Sequence, residues 1–293
     1  MTPHALPSSV NIGVLMADPA NAFWTDMEAC YRRLAPAMGV SLTVVWPEPG
    51  QDPVAQRDRL LRMLRDPFDL LVVNPLTPDN LVPGIIEAAR KKIPVLDVGA
   101  KSDPEQLPQA GTRYVPLRTV DFEEQGRLGG GFLVRALGAS PQAPAAVVIL
   151  AGREEAAQSK GRCRGAEQAF SAHPGAFRLL RESGCFDRTQ GEKAAARILT
   201  VRSDVKGFFC ANDLMALGVA DACRGLPLEH RPRIVGVDGI PEAVEAVQKG
   251  LLSATVAFSR EEVARTVLNS ALRILSGDPL PEGFLVTSRV IPS

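Results

Sequence analysis

The stretch Val205-Lys-Gly-Phe-Phe-Cys-Ala-Asn-Asp-Leu-Met-Ala-Leu-Gly218 indicates how this chain folds. An apolar run ends at Ala211, the polar pair Asn212-Asp213 follows, and a run of good helix formers comes next. This order predicts a buried strand that leads into a helix, with Asn212 or Asp213 at the helix N-cap. Both side chains accept hydrogen bonds from the free N–H groups of a first turn. In open α/β sheets, ligands bind at such junctions, at the carboxyl ends of the strands.

The same strand-to-helix unit recurs along the rest of the chain. The pattern predicts strands at residues 10–16, 40–46, 69–74, 93–98, 112–116, 145–150, 176–182, 205–211, 233–237, 253–257 and 284–290. It predicts helices at residues 23–38, 53–65, 78–91, 120–138, 157–171, 188–201, 213–224, 241–249 and 260–276. Alternation with short connections is typical of parallel sheets with right-handed crossovers. This many strands favours two doubly wound lobes of an α/β protein, with a cleft between them.

Composition argues against several classes of protein. The chain has 293 residues, with 33 Lys and Arg against 33 Asp and Glu, so it carries neither a basic nucleic-acid footprint nor a polybasic membrane patch. No apolar run approaches the ~18–20 residues of a transmembrane helix. The first nine residues lack the basic and apolar regions of a signal peptide. The protein is therefore cytoplasmic, or a signal peptide has been removed. The odd number of cysteines, five, does not form a disulfide framework.

Recognisable catalytic machinery is missing from the sequence. Neither a G-x-x-x-x-G-K-[ST] phosphate loop nor a G-x-S-x-G elbow is present. The glycine run 129–131 lies within a helical pattern, which favours close helix packing over a phosphate cradle. His4, His173 and His230 have no neighbours at metal-ligand spacing. We therefore predict that the protein is not an enzyme and has no metal site and no cofactor.

Polar and aromatic residues remain at the predicted strand ends. They are Asn21, Phe23, Trp24, Asp97, Phe186, Asn212 and Asp238. Aromatic rings stack on the apolar faces of sugars, while amides and carboxylates hold fixed hydroxyl groups. The set therefore indicates a site for a polar small molecule. For Phe23 and Trp24, the buried face of the first helix explains the pattern equally well.

Six short motifs, in order and at family spacing, give the chain a resemblance. They are Asn-Ala-Phe-Trp (21–24), Asn-Pro (74–75), Ile-Pro-Val (93–95), Phe-Asp-Arg (186–188), Ala-Asn-Asp-Leu-Met-Ala-Leu-Gly (211–218) and Val-Gly-Val-Asp-Gly-Ile-Pro (235–241). The chain resembles the type I periplasmic binding proteins of the ribose-binding kind, from about Val10 to Ile291. The effector cores of lactose-repressor-family regulators share this fold. The motifs are specific for the superfamily and not for a ligand.

The resemblance implies two lobes joined by a three-stranded hinge. The N-terminal lobe would comprise residues 10–117 plus 258–283, and the C-terminal lobe residues 118–257 plus 284–293. It also implies a mechanism in which the lobes close on the ligand. Because the ligand touches both lobes only in the closed state, its binding shifts the equilibrium towards closure.

The resemblance also assigns roles to individual residues. Asn21, Phe23 and Trp24 match hydrogen-bonding and stacking residues of the N-terminal lobe. In the C-terminal lobe, Phe186 matches a stacking residue, and the matches for the groups that hold ring hydroxyls are Asn212 and Asp238. Lys160 falls where many sugar binders have Arg. A lysine there would keep the positive charge but would lack the bidentate fork of a guanidinium.

Three residues, in two segments, depart from the sugar-binding pattern. Gly99 and Ala100 stand where an acid–Arg pair is typical, and Phe258 stands where a hinge-side Gln is common. Their absence removes hydroxyl contacts that are each worth about 1 kcal/mol or more. Either Asp97 and Lys101 compensate for them, or the ligand is smaller or less polar than a pyranose.

Three functions are compatible with this interpretation. The first is a monomeric solute-binding protein, periplasmic or extracellular, that delivers a carbohydrate or polyol to an ABC transporter permease or presents it to a chemoreceptor. The alternative is a ligand-sensing regulatory core, either a repressor effector domain or a sensor domain. A repressor would need a helix-turn-helix before Val10, and because nine residues cannot hold one, this version requires a chain longer than this sequence. The third is an enzyme that uses the same cleft, for which no nucleophile or metal set is present.

Overall fold

The computed structural model describes residues 10–48, 52–107 and 113–293. Its strands are β1 (Val10–Leu15), β2 (Val40–Val45), β3 (Leu70–Val73), β4 (Val95–Val98), β5 (Tyr114–Leu117), β6 (Ala145–Ala151), β7 (Phe177–Ser183), β8 (Val205–Cys210), β9 (Arg233–Asp238), β10 (Ala254–Phe258) and β11 (Ser288–Pro292). Its α-helices are α1 (Ala22–Leu34), α2 (Pro53–Met63), α3 (Val82–Arg90), α4 (Phe122–Leu137), α5 (Ala157–Ser171), α6 (Arg188–Val201), α7 (Asp213–Ala222), α8 (Pro241–Gln248) and α9 (Arg260–Ser276). The predictions for residues 1–9, with His4, and for residue 112 lie outside the described residues.

The chain divides into two compact units. The first contains the described residues up to Val120 together with Ser259–Thr287, and the second contains Asp121–Phe258 and Ser288–Ser293. The chain therefore passes between the units three times, after Val120, Phe258 and Thr287. The resemblance implied crossings at slightly earlier positions, after residues 117, 257 and 283. The backbone explains the later third crossing, since the N–H groups of Leu285 and Val286 both donate to the carbonyl of Thr119.

The first unit is built on a five-stranded parallel sheet in the order β2-β1-β3-β4-β5. Its central strand, Leu70–Val73, is completely buried, as expected for a parallel strand covered on both faces. Leu60, Met63 and Ile85 pack with this strand in the core between sheet and helices. The unit has the predicted doubly wound architecture.

The second unit is built on a six-stranded sheet in the order β11-β10-β9-β8-β6-β7. All neighbouring strands are parallel except β10 and β11, which are antiparallel. All seven residues of β6 are buried, so this strand is covered on both faces. The two sheets with their helices confirm the predicted α/β class.

Several predicted elements differ from the structure at their ends, and two of these differences have a local physical reason. The predicted helix 78–91 begins only at Val82, because Pro83 occupies the first turn, where its missing N–H costs no hydrogen bond. Pro83 therefore lies within the first turn of α3. The predicted strand 284–290 is β11, Ser288–Pro292, which begins later because Leu285 and Val286 are bonded to Thr119.

The glycine-rich segment of α4 permits close helix packing, as predicted. A Cβ at Gly126 would lie 1.9 Å from the carbonyl oxygen of Arg162 on α5, and a Cβ at Gly165 would lie 1.9 Å from that of Glu123. Gly130 faces the backbone of Ala166. The two helices therefore approach backbone to backbone, which fixes the position of α5 and of the side chains it carries.

Candidate functional site

Four of the predicted site residues lie at one edge of the sheet in the second unit. Phe258 ends β10, Asp238 ends β9, Asn212 follows β8, and Phe186 follows β7. Because these four strands run parallel to one another within the sheet, their carboxyl ends meet at the same edge. This edge is the predicted location for ligand-binding groups.

Asn212 is the N-cap of α7. Its Oδ1 accepts a hydrogen bond from the N–H of Met215 at 3.0 Å, and its Nδ2 donates to the carbonyl oxygen of Phe186 at 3.2 Å. One amide therefore closes the first turn of α7 and ties it to the loop after β7. Asp213 does not cap α7; its carboxylate bonds Ile240 and Thr255 instead, so it braces the helix.

Asp238 is paired with a buried arginine. Arg162 Nη2 donates to Asp238 Oδ1 at 2.8 Å, Nη1 donates to the carbonyl oxygen of Ala211 at 2.7 Å, and Nε donates to Gln125 Oε1 at 2.9 Å. The side chains of Arg162 and Asp238 are 5% and 9% exposed. A buried ion pair of this kind persists only with further hydrogen bonds, which Ala211 and Gln125 supply. The guanidinium thus joins the ends of β8 and β9.

The structure places the two cations of this segment differently. Lys160 lies on the exposed face of α5, while Arg162, two residues later, points into the unit and bonds Asp238. The sequence contains a signal for this, because buried positions on α5 recur every three or four residues. They are Ser159, Arg162, Cys163, Gly165, Ala166 and Phe170. Arg162 falls on this stripe and Lys160 falls off it.

Phe186 has a strained backbone, and its ring occupies the space beside Gly152, which has no side chain. Both Cys185 and Phe186 have positive φ angles, 52° and 62°, which non-glycine residues seldom adopt. The Phe186 ring lies against Gly152, where a Cβ would be 2.1 Å from its Cζ. The glycine therefore makes room for an aromatic ring beside Asn212. Such strained positions cluster at ligand sites.

Phe258 ends β10 at a crossing between the units. It is half-buried, and it pairs with Ser288 in the antiparallel ladder with β11. Its position at the carboxyl end of β10 leaves it a candidate contact residue, as the resemblance implied.

In the first unit, Asn21 is the N-cap of α1. Its Oδ1 accepts from the N–H of Phe23 at 3.0 Å. Phe23 and Trp24 lie in the first turn, half-buried, with ring centroids 4.9 Å apart in an edge-to-face arrangement. The buried face of α1 is formed by other residues: Met27, Tyr31 and Leu34. The two aromatic rings therefore lie at the start of the helix rather than within its fully buried face.

Asp97 holds the turn that carries Lys101. Its Oδ2 accepts from the N–H groups of Lys101 and Ser102, at 3.0 and 2.7 Å, and from the Tyr114 hydroxyl at 2.8 Å. Burial raises the pKa of Asp97. Lys101 Nζ lies 5.0 Å from the centre of the Trp24 ring. Asp97 thus fixes the turn that carries Lys101 after β4. A direct contact between Asp97 and a ligand stays a prediction.

The Asn-Pro motif at 74–75 has a structural role beside these residues. Asn74 Nδ2 donates to the carbonyl of Leu15, and Gln56 Nε2 donates to the carbonyls of Met16 and Asn74. The buried amides hold the carboxyl ends of β1 and β3 together. Asn21 and Trp24 follow the end of β1 in the chain.

The described residues contain no group of three or more His, Cys, Asp or Glu side chains that could hold a metal ion. All five cysteines are free. Within the same residues, no helix is both long and apolar enough to cross a membrane.

Residues 12–279 match the family model of the periplasmic binding protein domain. The chain belongs to this family. Among curated relatives, the D-allose-binding periplasmic protein of Escherichia coli is 28% identical over 97% of this chain and 92% of its own length. The ribose import binding protein RbsB of Haemophilus influenzae is 27% identical over 98% of each chain. These matches confirm the resemblance stated from the sequence motifs.

A solved structure has the same fold. The periplasmic solute-binding protein of an ABC transporter from Actinobacillus succinogenes, with bound D-allose, superposes with a TM-score of 0.87 over 97% of this chain and 98% of its own. Its sequence is 24% identical, so the likeness establishes the fold alone.

Proposed function

We propose that this protein is a solute-binding protein that captures a sugar, polyol or similar polar small molecule by hinge closure and delivers it to an ABC importer. Each unit would supply half of the binding groups, and closure would bring both halves to the ligand. Binding of this kind needs no chemical step. The named relatives are binding proteins for allose and ribose, which supports the class of ligand.

The observation that carries the proposal is the Arg162–Asp238 pair beside Asn212. Guanidinium donors and carboxylate acceptors, fixed by further hydrogen bonds, can hold the vicinal hydroxyl groups of a polyol in one orientation. Because these groups are already ordered, little side-chain entropy is lost on binding. Arg162 therefore replaces Lys160 as the proposed cation of the site.

Aromatic rings supply the complementary apolar surface. Phe186 in the second unit, and Phe23 and Trp24 in the first, would stack on the C–H faces of a sugar ring. Lys101 lies beside the Trp24 ring and could donate to a ligand oxygen. This lysine would then provide a hydrogen-bond donor in the segment where Gly99 and Ala100 replace the acid–Arg pair of typical sugar binders. A ligand smaller or less polar than a pyranose fits these changes.

In this proposal the protein is a monomer and works in the periplasm together with an ABC permease. Membership of the periplasmic binding protein domain family supports this compartment. A sensor domain of the same fold is the second candidate, and its partner would be a chemoreceptor or a kinase. Co-purification from native membranes with a permease, rather than with a receptor, separates the two.

Differential scanning fluorimetry with single sugars and polyols tests the binding function. D-allose, D-ribose, xylitol, myo-inositol and glycerol form the first panel. A ligand at about 100 times its dissociation constant should stabilise the protein by ~2.7 kcal/mol. Isothermal titration calorimetry then gives the stoichiometry, which should be one ligand per chain. Absence of any shift across neutral polyhydroxylated compounds contradicts the proposed ligand class.

A pair of variants tests the location of the site. Arg162→Lys should weaken binding of the ligand found in the panel at least tenfold, because it loses the bidentate donor geometry. The matched control is Lys160→Met on the exposed face of α5, which should bind with unchanged affinity. A loss of binding in Lys160→Met with full binding in Arg162→Lys would reverse our assignment.

A further inference from the structure

A buried carboxylate next to the site does not point at it. Asp213, the first residue of α7, is completely buried. Its Oδ2 accepts from the N–H of Ile240 at 2.9 Å, and its Oδ1 accepts from Thr255 Oγ1 at 2.7 Å. Thr255 Oγ1 in turn accepts from the N–H of Gly239 at 3.3 Å. One carboxylate therefore holds, directly and through Thr255, both amides that follow Asp238.

The turn that these bonds hold is strained. Asp238 has a φ of 125°, in the region that favours glycine, and Gly239 follows at 65°. Such a conformation costs of order 1–3 kcal/mol and persists only where surrounding structure holds it. The sequence also leaves space for the carboxylate, because a Cβ at Gly236 would lie 2.2 Å from Asp213 Oδ1.

Protonation of Asp213 disturbs this arrangement whichever oxygen takes the proton. A proton on Oδ2 weakens that oxygen as the acceptor for the N–H of Ile240, which is a backbone group and cannot rotate towards another partner. A proton on Oδ1 faces the hydroxyl hydrogen of Thr255, and turning that hydroxyl changes the acceptor of the Gly239 N–H. Only in the ionised form does neither oxygen carry a hydrogen, so that both act purely as acceptors.

The electrostatic surroundings bring this proton into the physiological range. Burial, and secondly the carboxylate of Asp238, raise the pKa of Asp213 to about 7. The charged and titratable groups that face it are Asp238 on β9, Arg162 of α5 through its pair with Asp238, and Cys210 on β8. Thr255 on β10 and the amides before α8 are neutral donors.

We propose that Asp213 is the positioning residue of the second unit: it touches no ligand, and in its ionised form it holds the Asp238–Ile240 turn in the geometry that binds. This inference rests on the proposed function, since it assigns Asp238 to the site. It extends that function, because it makes affinity depend on pH through a group outside the contact surface.

The first test needs no ligand. In ¹⁵N-labelled protein, the amide resonances of Gly239 and Ile240 should titrate together with a midpoint near pH 7, and the titration should vanish in Asp213→Asn. The control is Asp221→Asn, which removes a carboxylate of α7 that is paired with Arg188 and Arg224 instead. It should leave the titration intact. Resonances that do not move between pH 5.5 and 8.5 overturn the proposal.

The second test measures affinity for D-allose and D-ribose by calorimetry between pH 5.5 and 8.5. If only the ionised form binds, affinity falls about tenfold one pH unit below the pKa, because the competent fraction falls by that factor. Asp213→Asn should bind at least tenfold more weakly than wild type at pH 8, with a flat pH profile. A flat wild-type profile with good binding overturns the positioning role alone. No binding of any sugar at any pH overturns the proposed function, and this inference with it.

Discussion

Arg162 Nη2 donates to Asp238 Oδ1 at 2.8 Å, across 76 positions of sequence, and the same guanidinium donates to the carbonyl of Ala211. The pair brings together α5, the end of β9 and the residue before the cap of α7. Because the pair is buried, it is a structural link, and we also propose it as part of the ligand site. Variants at either residue must therefore separate stability from binding.

The first prediction concerns Asp238. Asp238→Ala leaves the Arg162 guanidinium buried without its carboxylate, so the unfolding free energy should fall by about 3–5 kcal/mol. A loss of binding in that variant would not identify a ligand contact. Asp238→Asn keeps an oxygen acceptor for Arg162 and should destabilise less, while it weakens sugar binding at least tenfold. Urea unfolding and calorimetry check the two effects, and Asp238→Asn with wild-type affinity would remove Asp238 from the site.

The second prediction separates the two roles of Asn212. Asn212→Ala loses the N-cap bond to Met215 and should destabilise the protein by about 0.5–2 kcal/mol. Asn212→Ser retains a capping oxygen but lacks the amide donor that bonds Phe186. We expect near-wild-type thermal stability and at least tenfold weaker ligand binding for the serine variant. Equal binding by Asn212→Ser and wild type would limit Asn212 to a structural role.

The third prediction uses the fluorescence of Trp24. The chain has two tryptophans, and Trp46 donates through Nε1 to Glu28. In a Trp46→Phe background, a ligand that stacks on Trp24 should shift or quench the remaining emission. Trp24→Phe in the intact Trp46 background should show a much smaller change. The reverse pattern would place the ligand away from Trp24.

The fourth prediction follows from the sign of the pKa shift at Asp213. Because its pKa rises from 3.8 to about 7 on folding, the folded chain keeps a proton that the unfolded chain releases. The stabilisation is fully present below about pH 4 and is lost as pH rises to about 7, by at most ~1.4 kcal/mol per unit. Asp213→Asn should remove this slope and be more stable than wild type at pH 8. Urea midpoints at pH 4 to 8 measure it; identical slopes in both proteins contradict it.

The Asp213→Asn variant is informative because its expected effects on stability and on ligand binding have opposite signs. At pH 8 it should be more stable yet bind more weakly, which a residue with a purely structural role does not produce. Stability given up for a functional arrangement is common at binding sites.

The fifth prediction concerns the contact between α4 and α5. A Cβ at Gly165 would lie 1.9 Å from a backbone oxygen, so Gly165→Ala should force the helices apart and destabilise the protein by several kcal/mol. Gly131, also in α4, meets only the end of the Arg135 side chain. Gly131→Ala should be neutral or stabilising by up to ~1 kcal/mol, since alanine favours helix. Thermal unfolding of both variants makes the comparison.

Much of the fold follows from local patterns in the sequence. Buried strands such as Leu70–Val73 are continuous apolar runs, and a cap such as Asn212 directly precedes the helix it starts. These features depend on neighbouring residues, so reading along the chain predicts them. The start of α3 is less predictable, because the effect of Pro83 depends on whether the helix has already begun.

The sequence by itself determined the alternating α/β architecture and the placement of Asn212 and Asp238 at strand ends. Only the tertiary structure decided that Arg162, rather than Lys160, meets Asp238, and that Asp213 bonds Ile240 and Thr255. The reason is physical. Strands, helices and caps form from hydrogen bonds and apolar periodicity within a few residues. A buried charge takes its partner from whichever segment the packing of the helices and the order of the strands bring beside it.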